Sequence, residues 1–174
     1  MANFAKIIRH LCREYSTGIA ALLPNDVLSI RLRRIIYSLN GISIHRSSII
    51  YRNVLLLGKI TIGANSSISN NSTLSGASAG IDIGANVMIA PGCCLVAFDH
   101  GMAFSDIPMM SQPLREKNIV IEDNVWIAAN CTITKGVRIG TGAVIAANSV
   151  VIRDVAPFEI VAGNPAKTIK TRKL

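Results

Sequence analysis

An aliphatic residue recurs at every sixth position through most of this chain of 174 residues. The series starts at Ile44, shifts by three residues before Ile83, and stops after Leu95 for about two dozen residues until Ile121. Its fifteen members are all Ile, Leu or Val: Ile44, Ile50, Leu56, Ile62, Ile68, Leu74, Ile83, Ile89, Leu95, Ile121, Ile127, Ile133, Ile139, Ile145 and Val151. A period this short predicts stacked units, none of which can bury its apolar side alone.

Neither an α-helix nor a β-hairpin has a period of six residues. The pattern instead predicts a chain that turns around a triangular prism, with three short strands in each coil and every aliphatic side chain directed to the axis. A second small or aliphatic residue lies two positions before most members of the series: Ser66, Ser72, Val87, Cys93, Val125, Cys131, Val137, Ala143 and Ser149. Gly, Asn and Asp, as in the IGAN segments at 62 and 83, suit the corners. The fold class is therefore an all-β core, a parallel β-helix of about five coils.

The composition agrees with a core of thin aliphatic layers, since half of the residues are hydrophobic and only 5% are aromatic. Cys93 and Cys131 fall on the small inward positions, and none of the four cysteines shows C-x-x-C spacing. We therefore predict reduced thiols and a cytoplasmic protein. The segment MANFAKIIRHLCREYS is too charged for a signal peptide, and no apolar run approaches the ~20 residues of a membrane span. Trp126 precedes the inward Ile127 and is predicted to point outward.

Residues 1–42 do not follow the period of six and are predicted to form a helical cap. FAKIIRHLCREYS and NDVLSIRLRRIIYSLNG place apolar residues at helical spacing, with basic residues between them. The segment PND before VLSIRL suits a helix start, and Asn40-Gly41 suits a helix stop. One interpretation is a cap that covers the open end of the first coil. Another is a basic amphipathic surface on an anionic membrane, which suits a lipid-linked substrate and a position at the inner membrane.

The remaining chain divides into a β-helix over 43–162, with a loop inserted at about 99–118, and a basic tail over 163–174. Pro108 and Pro113 in the inserted loop oppose regular structure. His100 stands at the start of this loop, which can reach a neighbouring subunit and close over a groove. The other histidines, His10 in the cap and His45 in the first coil, are predicted to be surface or packing residues.

The chain resembles the hexapeptide-repeat acyltransferases, which fold as left-handed parallel β-helices. The resemblance covers Ile44 to about Lys170 and depends on IGANVMIAPG, IEDNVWIAANCTITKGVRIGTGAVIAANSVV and IVAGNPAKTIK. The last segment is similar to a signature of the branch that O-acetylates sugars, which includes maltose and galactoside O-acetyltransferases and enzymes of bacterial surface polysaccharides. This resemblance implies an enzyme, an acetyl-CoA-dependent O-acetyltransferase that modifies a sugar hydroxyl, and a homotrimer around a three-fold axis.

The resemblance of IAPGCCLVAFDHG to the family's segment implies that His100 is the catalytic base. An imidazole has an ordinary pKa near ~6.5, so it can accept the proton of a sugar hydroxyl at neutral pH. The hydroxyl would attack acetyl-CoA directly, and the backbone N–H of Ala129 is the family-matched donor to the oxyanion. The cofactor is expected in a groove between two subunits, along the backbone near Ala129 and Ala147. Family-matched cations for its phosphates are Arg153, Lys167 and Lys170.

The sequence contains fewer indications of the acceptor site than of the base and the cofactor site. In the family, the coil before the histidine contacts the acceptor, which makes Asn70 and Asn71 candidate sugar-binding residues. Asp99 is a further candidate: its carboxylate could hold a sugar hydroxyl or orient the imidazole, although direct pairing with the adjacent His100 requires a turn. The galactoside enzymes carry an Asp shortly before the segment corresponding to IDIG, and this chain has only Asp82 itself there.

Four other functions remain open or are disfavoured. An N-acetyltransferase acting on an amino sugar or an antibiotic is the nearest alternative, and a non-catalytic β-helix scaffold comes from another class. A metal-dependent hydratase needs three converging histidines, which the wide separation of the histidines excludes, and no metal is expected. The net charge of +8 suits a phosphate-bearing molecule or a membrane surface, whereas few aromatic residues and no basic run before the tail disfavour nucleic acid.

Overall fold

The computed structural model describes residues 2–103 and 105–172, with the backbone alone for residues 2–10 and 13. Two helices come first, α1 (Ala2–Leu22) and α2 (Val27–Leu39). The side chain of Asp26 caps α2 by accepting a hydrogen bond of 3.0 Å from the N–H of Ser29, and α2 ends at Asn40. The predicted start and stop of this helix are therefore confirmed, whereas the side chain of His10 lies outside the described part.

Nineteen short strands follow within the described residues. They are β1 (Ser43–Ile44), β2 (Ile49–Ile50), β3 (Leu55–Leu57), β4 (Ile60–Ile62), β5 (Ser67–Ile68), β6 (Thr73–Ser75), β7 (Ile81–Ile83), β8 (Met88–Ile89), β9 (Cys94–Val96), β10 (Phe98–Asp99), β11 (Arg115–Glu116), β12 (Ile119–Ile121), β13 (Trp126–Ile127), β14 (Thr132–Ile133), β15 (Arg138–Ile139), β16 (Val144–Ile145), β17 (Val150–Val151), β18 (Glu159–Ala162) and β19 (Lys167–Thr171).

Three sheets of parallel strands form the faces of a prism. The first face has the order β1-β4-β7-β12-β15, the second β2-β5-β8-β13-β16-β18-β19, and the third β3-β6-β9-β14-β17. Each strand thus pairs with the strand one coil later, except that β19 adds to β18 in antiparallel orientation. Five complete coils and the start of a sixth result, in agreement with the predicted parallel β-helix and its N-terminal helices.

The aliphatic series forms the core of the prism. Fourteen of its fifteen members are buried, and Ile44 at the open N-terminal end is partly buried against the same core. The small inward residues, including Cys93 and Cys131, are buried as well, and all four cysteines are free thiols. Trp126 points outward, with 46% of its surface exposed, as predicted.

Asparagine occupies the corners where the backbone takes a left-handed conformation. Asn65, Asn86, Asn124, Asn130 and Asn148 all have φ between 56° and 58°. Such angles are costly for most residues with a Cβ but tolerated by Asn. The stacking of coils also aligns the side chains, since the amide of Asn65 donates to the side-chain oxygen of Asn86 at 3.3 Å. The corner composition expected from the sequence therefore has a backbone cause.

The inserted loop leaves the prism between the third and first faces. Its two ends pair as an antiparallel ribbon, with Phe98 opposite Glu116 and Asp99 opposite Arg115. A short 3-10 helix, Met109–Ser111, lies within the loop. Below the ribbon, β9 pairs directly with β14, and β7 with β12. The loop therefore projects from the prism, and the strands before and after it pair as if it were absent.

The helical hairpin, formed by α1 and α2, is connected to the first coil by the side chain of Arg33. This guanidinium is fully buried and donates to carbonyl oxygens at the end of α1 and in the loop after it, with 2.9 Å to Ala20 and 3.2 Å to Pro24. A further bond of 2.6 Å reaches the carbonyl of Ile50 in β2, and another reaches that of Leu23. One side chain thus connects both helices with the β-helix.

Candidate functional site

His100 stands at the base of the inserted loop, directly after β10. Its side chain is exposed, at the edge of the prism where the third face meets the first. The neighbouring Asp99 forms an ion pair with Lys135 of the following coil. The carboxylate of Asp99 is therefore directed to that lysine, which leaves the imidazole of His100 facing outward without this partner.

The base of the loop is fixed to the coil that precedes it. The carboxylate of Glu116 accepts hydrogen bonds of 3.1 Å from the backbone N–H groups of Ser78 and Ala79, and another from the Ser78 hydroxyl. These bonds, first that of the Ser78 side chain, hold the pKa of Glu116 below its ordinary value. The ribbon that carries His100 is thus held on both sides, by Glu116 and by the Asp99–Lys135 pair.

Gln112 organises the interior of the loop, although the sequence alone did not single it out. Only 8% of its surface is exposed. Its side-chain oxygen accepts from the N–H of Ala103 at 3.0 Å, and its amide donates to the carbonyls of Ala103 and Ile107 at 3.1 and 2.9 Å. A Cβ at Gly101, next to His100, would lie 2.7 Å from the Cβ of Gln112. Gln112 therefore closes the loop against the residue that follows His100.

We expect Gln112→Ala to lower the turnover of the acetyl transfer that the sequence resemblance implies about tenfold or more, because three backbone groups in the loop lose their partner while the prism stays folded. Steady-state kinetics would measure this, with a larger change in kcat than in the KM for acetyl-CoA. Met110→Ala, at a loop residue that is 87% exposed, is the matched control and should change neither constant. Unchanged turnover in Gln112→Ala would show that loop closure does not position His100.

The residues predicted to meet the thioester lie at the other edge of the third face. Ala129 and Ala147 occupy equivalent corners of successive coils, and the N–H of Asn148 donates to the carbonyl of Ala129 at 2.9 Å. Within residues 2–103 and 105–172, the N–H groups of Ala129 and Ala147 donate to no acceptor. Two aligned backbone donors are therefore available to a ligand that lies along this edge.

Asn70 and Asn71 belong to the same edge as Ala129, two coils earlier. The side-chain oxygen of Asn70 accepts from the amide of Asn25 at 3.1 Å, and that of Asn71 accepts from Asn53 at 3.2 Å. His100 lies across the third face, which is about five residues wide, or roughly 15 Å at the rise of a β-strand. One chain alone therefore does not bring His100 together with Ala129, Asn70 or Asn71.

The three predicted phosphate-binding cations lie near the C-terminal end of the prism. Arg153 and Lys167 line one cavity of about 270 Å³, beside Val151 and Val161. Lys170 lines a different depression with Ile160 and Arg172. Lys167 and Lys170 belong to β19, so the segment predicted as a basic tail contains an ordered strand. The structure brings together two of the three cations.

A cavity of about 610 Å³ is lined by carboxylates that already have partners. Glu122 pairs with Arg138 and accepts from the N–H and hydroxyl of Thr141, both at 2.8 Å. Asp154 accepts from the N–H of Arg138 at 2.8 Å. These carboxylates are therefore already engaged in contacts between neighbouring segments of the prism. In the part of the chain that the structure describes, no three His, Cys, Asp or Glu side chains are grouped to hold a metal ion.

Comparison with known proteins identifies the family to which the chain is related. The profile of the bacterial transferase hexapeptide family, with six repeats, matches residues 118–153. A hexapeptide-repeat acetyltransferase from Vibrio cholerae is 34% identical, with a TM-score of 0.78 over 95% of this chain and 93% of that one, and has also been solved with acetyl coenzyme A. A maltose O-acetyltransferase from Clostridium difficile 630 is 26% identical, with a TM-score of 0.79 over 95% and 87%.

A solved N-acyltransferase also resembles this chain in fold. A variant of AntD from Bacillus cereus, solved with dTDP-4-amino-4,6-dideoxyglucose and coenzyme A, is 28% identical, with a TM-score of 0.71 over 76% of this chain and 74% of that one. Curated relatives reach 51% identity, but the matched region spans only about a third of their length or less. The repeat, the helical cap and the likeness over nearly the whole Vibrio cholerae chain together show that this chain belongs to the hexapeptide-repeat acetyltransferase family.

Proposed function

We propose that the chain is an acetyl-CoA-dependent O-acetyltransferase that modifies a sugar hydroxyl, such as that of a bacterial surface polysaccharide or its precursor. The observation that carries this proposal is the position of His100: an exposed imidazole at the anchored base of an ordered loop, beside a prism edge. The likeness to a maltose O-acetyltransferase over 95% of the chain supports the choice of a sugar hydroxyl.

In the proposed reaction, a ring nitrogen of His100 accepts the proton of the acceptor hydroxyl as its oxygen bonds to the acetyl carbonyl carbon. The carbonyl oxygen becomes an oxyanion, which the N–H of Ala129 stabilises. The carbon–sulfur bond then breaks, and the CoA thiolate takes the proton from the imidazolium. The products are an acetyl ester and free CoA thiol, so the histidine returns to its starting state.

The separation of His100 from Ala129 within one chain requires a second copy to complete this site. We propose a homotrimer in which His100 of one copy faces the Ala129–Ala147 edge of the next, so that acetyl-CoA lies between them. The N–H of Ala147 would pair with the extended pantetheine arm, while that of Ala129 faces the thioester carbonyl oxygen. The reduced thiols agree with a cytoplasmic protein, where we place it.

The acceptor would enter from the side of Asn70 and Asn71. Asn71 is exposed, and its amide group can turn toward a sugar hydroxyl. Asp99 is the third proposed sugar-binding residue. Its carboxylate, which pairs with Lys135, would also accept a hydrogen bond from a sugar hydroxyl. In the proposed trimer, Asp99 of one copy and Asn70 and Asn71 of the next would give the acceptor several polar contacts close to the base.

Transfer to an amine is the second candidate. AntD, which shares the fold at 28% identity, is an N-acyltransferase that was solved with an amino sugar nucleotide. The two candidates differ in their product, because an ester is cleaved by hydroxylamine whereas an amide is not. Assays of CoA thiol release with a panel of saccharides and amino sugars, followed by hydroxylamine treatment and mass spectrometry of the product, would decide. Release with amines alone would overturn O-acetylation.

We expect Arg153→Ala and Lys167→Ala each to raise the KM for acetyl-CoA about tenfold with a small change in kcat, because each removes a cation from the proposed phosphate site. The matched control is Arg46→Ala, at an exposed arginine of the first coil. A cosubstrate that lacks the 3′-phosphate would test the assignment further, since the variants should then differ less from the parent. Equal KM values for parent and both variants would contradict it.

A further inference from the structure

Each helix of the N-terminal hairpin carries an exposed apolar stripe. Nine large apolar side chains in and beside the helices are between 43% and 83% exposed: Leu11, Tyr15, Ile19, Leu22, Val27, Leu28, Leu32, Ile35 and Leu39. Most lie three or four residues apart along their helix, which places them on one side of it. Isolated apolar residues are normal on a protein surface, but contiguous patches of this kind mark a contact with another phase or molecule.

These stripes are not the surfaces that cover the first coil. In α2, the buried residues are Ser29, Arg33 and Tyr37, and the Tyr37 hydroxyl donates to the carbonyl of Val54 in the β-helix. In α1, Ala20 is fully buried near the end of the helix. The hairpin thus caps the β-helix with one side, and its exposed stripes are available for a second contact.

The charge of the hairpin favours an anionic partner. Residues 1–40 contain six basic residues, Lys6, Arg9, Arg13, Arg31, Arg33 and Arg34, and two acidic ones, Glu14 and Asp26. Asp26 is engaged as the cap of α2, and Arg33 is buried. Arg31 is exposed and Arg34 half-buried on α2, which carries no acidic residue, and Arg46 and Arg52 of the first coil add exposed positive charge nearby.

We propose that the hairpin docks on the surface of a membrane that contains anionic lipids. The leucine and isoleucine side chains of the stripes would enter the headgroup–acyl boundary, and the arginines would contact lipid phosphates. Among the described helices, none is long and apolar enough to cross a bilayer. The proposed contact is interfacial and needs both the apolar stripe and the positive charge.

The hairpin also touches the proposed acceptor side of the enzyme. Asn25, in the connection between the helices, donates to the side-chain oxygen of Asn70 at 3.1 Å and accepts from the N–H of Arg52 at 2.7 Å. Docking would place the edge with Asn70 and Asn71 near the lipid headgroups. This part of the inference rests on the proposed function, and it names the acceptor class as a saccharide linked to a membrane lipid.

Co-sedimentation of the full chain with lipid vesicles tests the docking. We expect binding to vesicles that contain about a third phosphatidylglycerol, weaker binding at high salt, and little binding to pure phosphatidylcholine. Leu28→Ser with Leu39→Ser should lower the partition coefficient at least tenfold, and Arg31→Glu should lower it roughly tenfold on anionic vesicles alone. Ile169→Ser, at an exposed residue of β19, is the matched control and should bind as the parent does.

The outcome separates docking from catalysis, because vesicle binding needs neither acetyl-CoA nor acceptor, and thiol release with a soluble saccharide needs no vesicles. Absent sedimentation, or equal binding to neutral and anionic vesicles, would overturn the docking and leave the reaction intact. A change in oligomeric state in the Leu28→Ser, Leu39→Ser variant, measured by light scattering, would also overturn it and assign the stripes to contacts between copies.

Discussion

Replacing His100 with alanine is expected to lower the turnover of acetyl transfer by about 100-fold or more, while the fold and the affinity for acetyl-CoA stay as in the parent. In the proposed mechanism, the acceptor hydroxyl of this variant has no base within reach as its bond to the carbonyl carbon forms. Release of CoA thiol under saturating acetyl-CoA and acceptor measures the effect. Circular dichroism and light scattering on the same samples would show whether the prism and its assembly are intact.

The chain offers a matched control for this substitution. His45 is also exposed, and its Nδ1 lies 2.8 Å from the hydroxyl of the neighbouring Ser47. His45→Ala should therefore leave turnover unchanged. A His100→Ala variant with normal turnover would remove the proposed base, and a variant that lost assembly instead would assign His100 to the contact between copies.

Replacing Arg33 with methionine is expected to lower the free energy of unfolding by about 3–5 kcal/mol. Methionine keeps much of the side-chain volume but leaves the carbonyls of Ala20, Leu23, Pro24 and Ile50 without the guanidinium that satisfies them. Unpaired buried carbonyls retain the cost of desolvation, and the helical hairpin loses its connection to β2. Urea denaturation of the full chain, followed by circular dichroism, would measure the change.

Two further variants separate the hydrogen bonds from charge and volume. Arg31→Met removes an exposed charge from the same helix and should change stability by less than about 0.5 kcal/mol. Arg33→Lys keeps a buried cation with fewer donors in another geometry, so it should recover only part of the loss. A stability of Arg33→Met equal to that of the parent would mean that water replaces the guanidinium at all four carbonyls.

Much of the fold is predictable from the sequence because each coil repeats the same local demands. The inward position must be aliphatic, the position two before it must be small or aliphatic, and the corner favours residues that tolerate positive φ. Ile127 and Asn130 meet these demands in one coil, and Ile145 and Asn148 meet them in the next. Because the inward aliphatic position recurs fifteen times, the pattern can be recognised in one sequence without knowing which coils lie together.

The functional region is harder to predict because its contacts are not periodic. Gln112 bonds to Ala103 and Ile107 across an irregular loop, and no spacing rule connects these residues. Arg33 looks like one of several basic residues on a helix, and only the folded hairpin shows that it is buried. The C-terminal strand β19 was also not predicted, since its alternation of basic and polar residues lacks the aliphatic signal of the coils.

The direct pairing of β9 with β14 beneath the loop has an evolutionary consequence. Because the stack is continuous there, residues can be added to or deleted from the loop without shifting any register of the scaffold, and closing a longer segment costs little extra entropy. The segment that follows His100 can therefore differ widely in length and sequence among proteins that share an unaltered scaffold. Exchange of this segment between relatives should accordingly leave the β-helix folded.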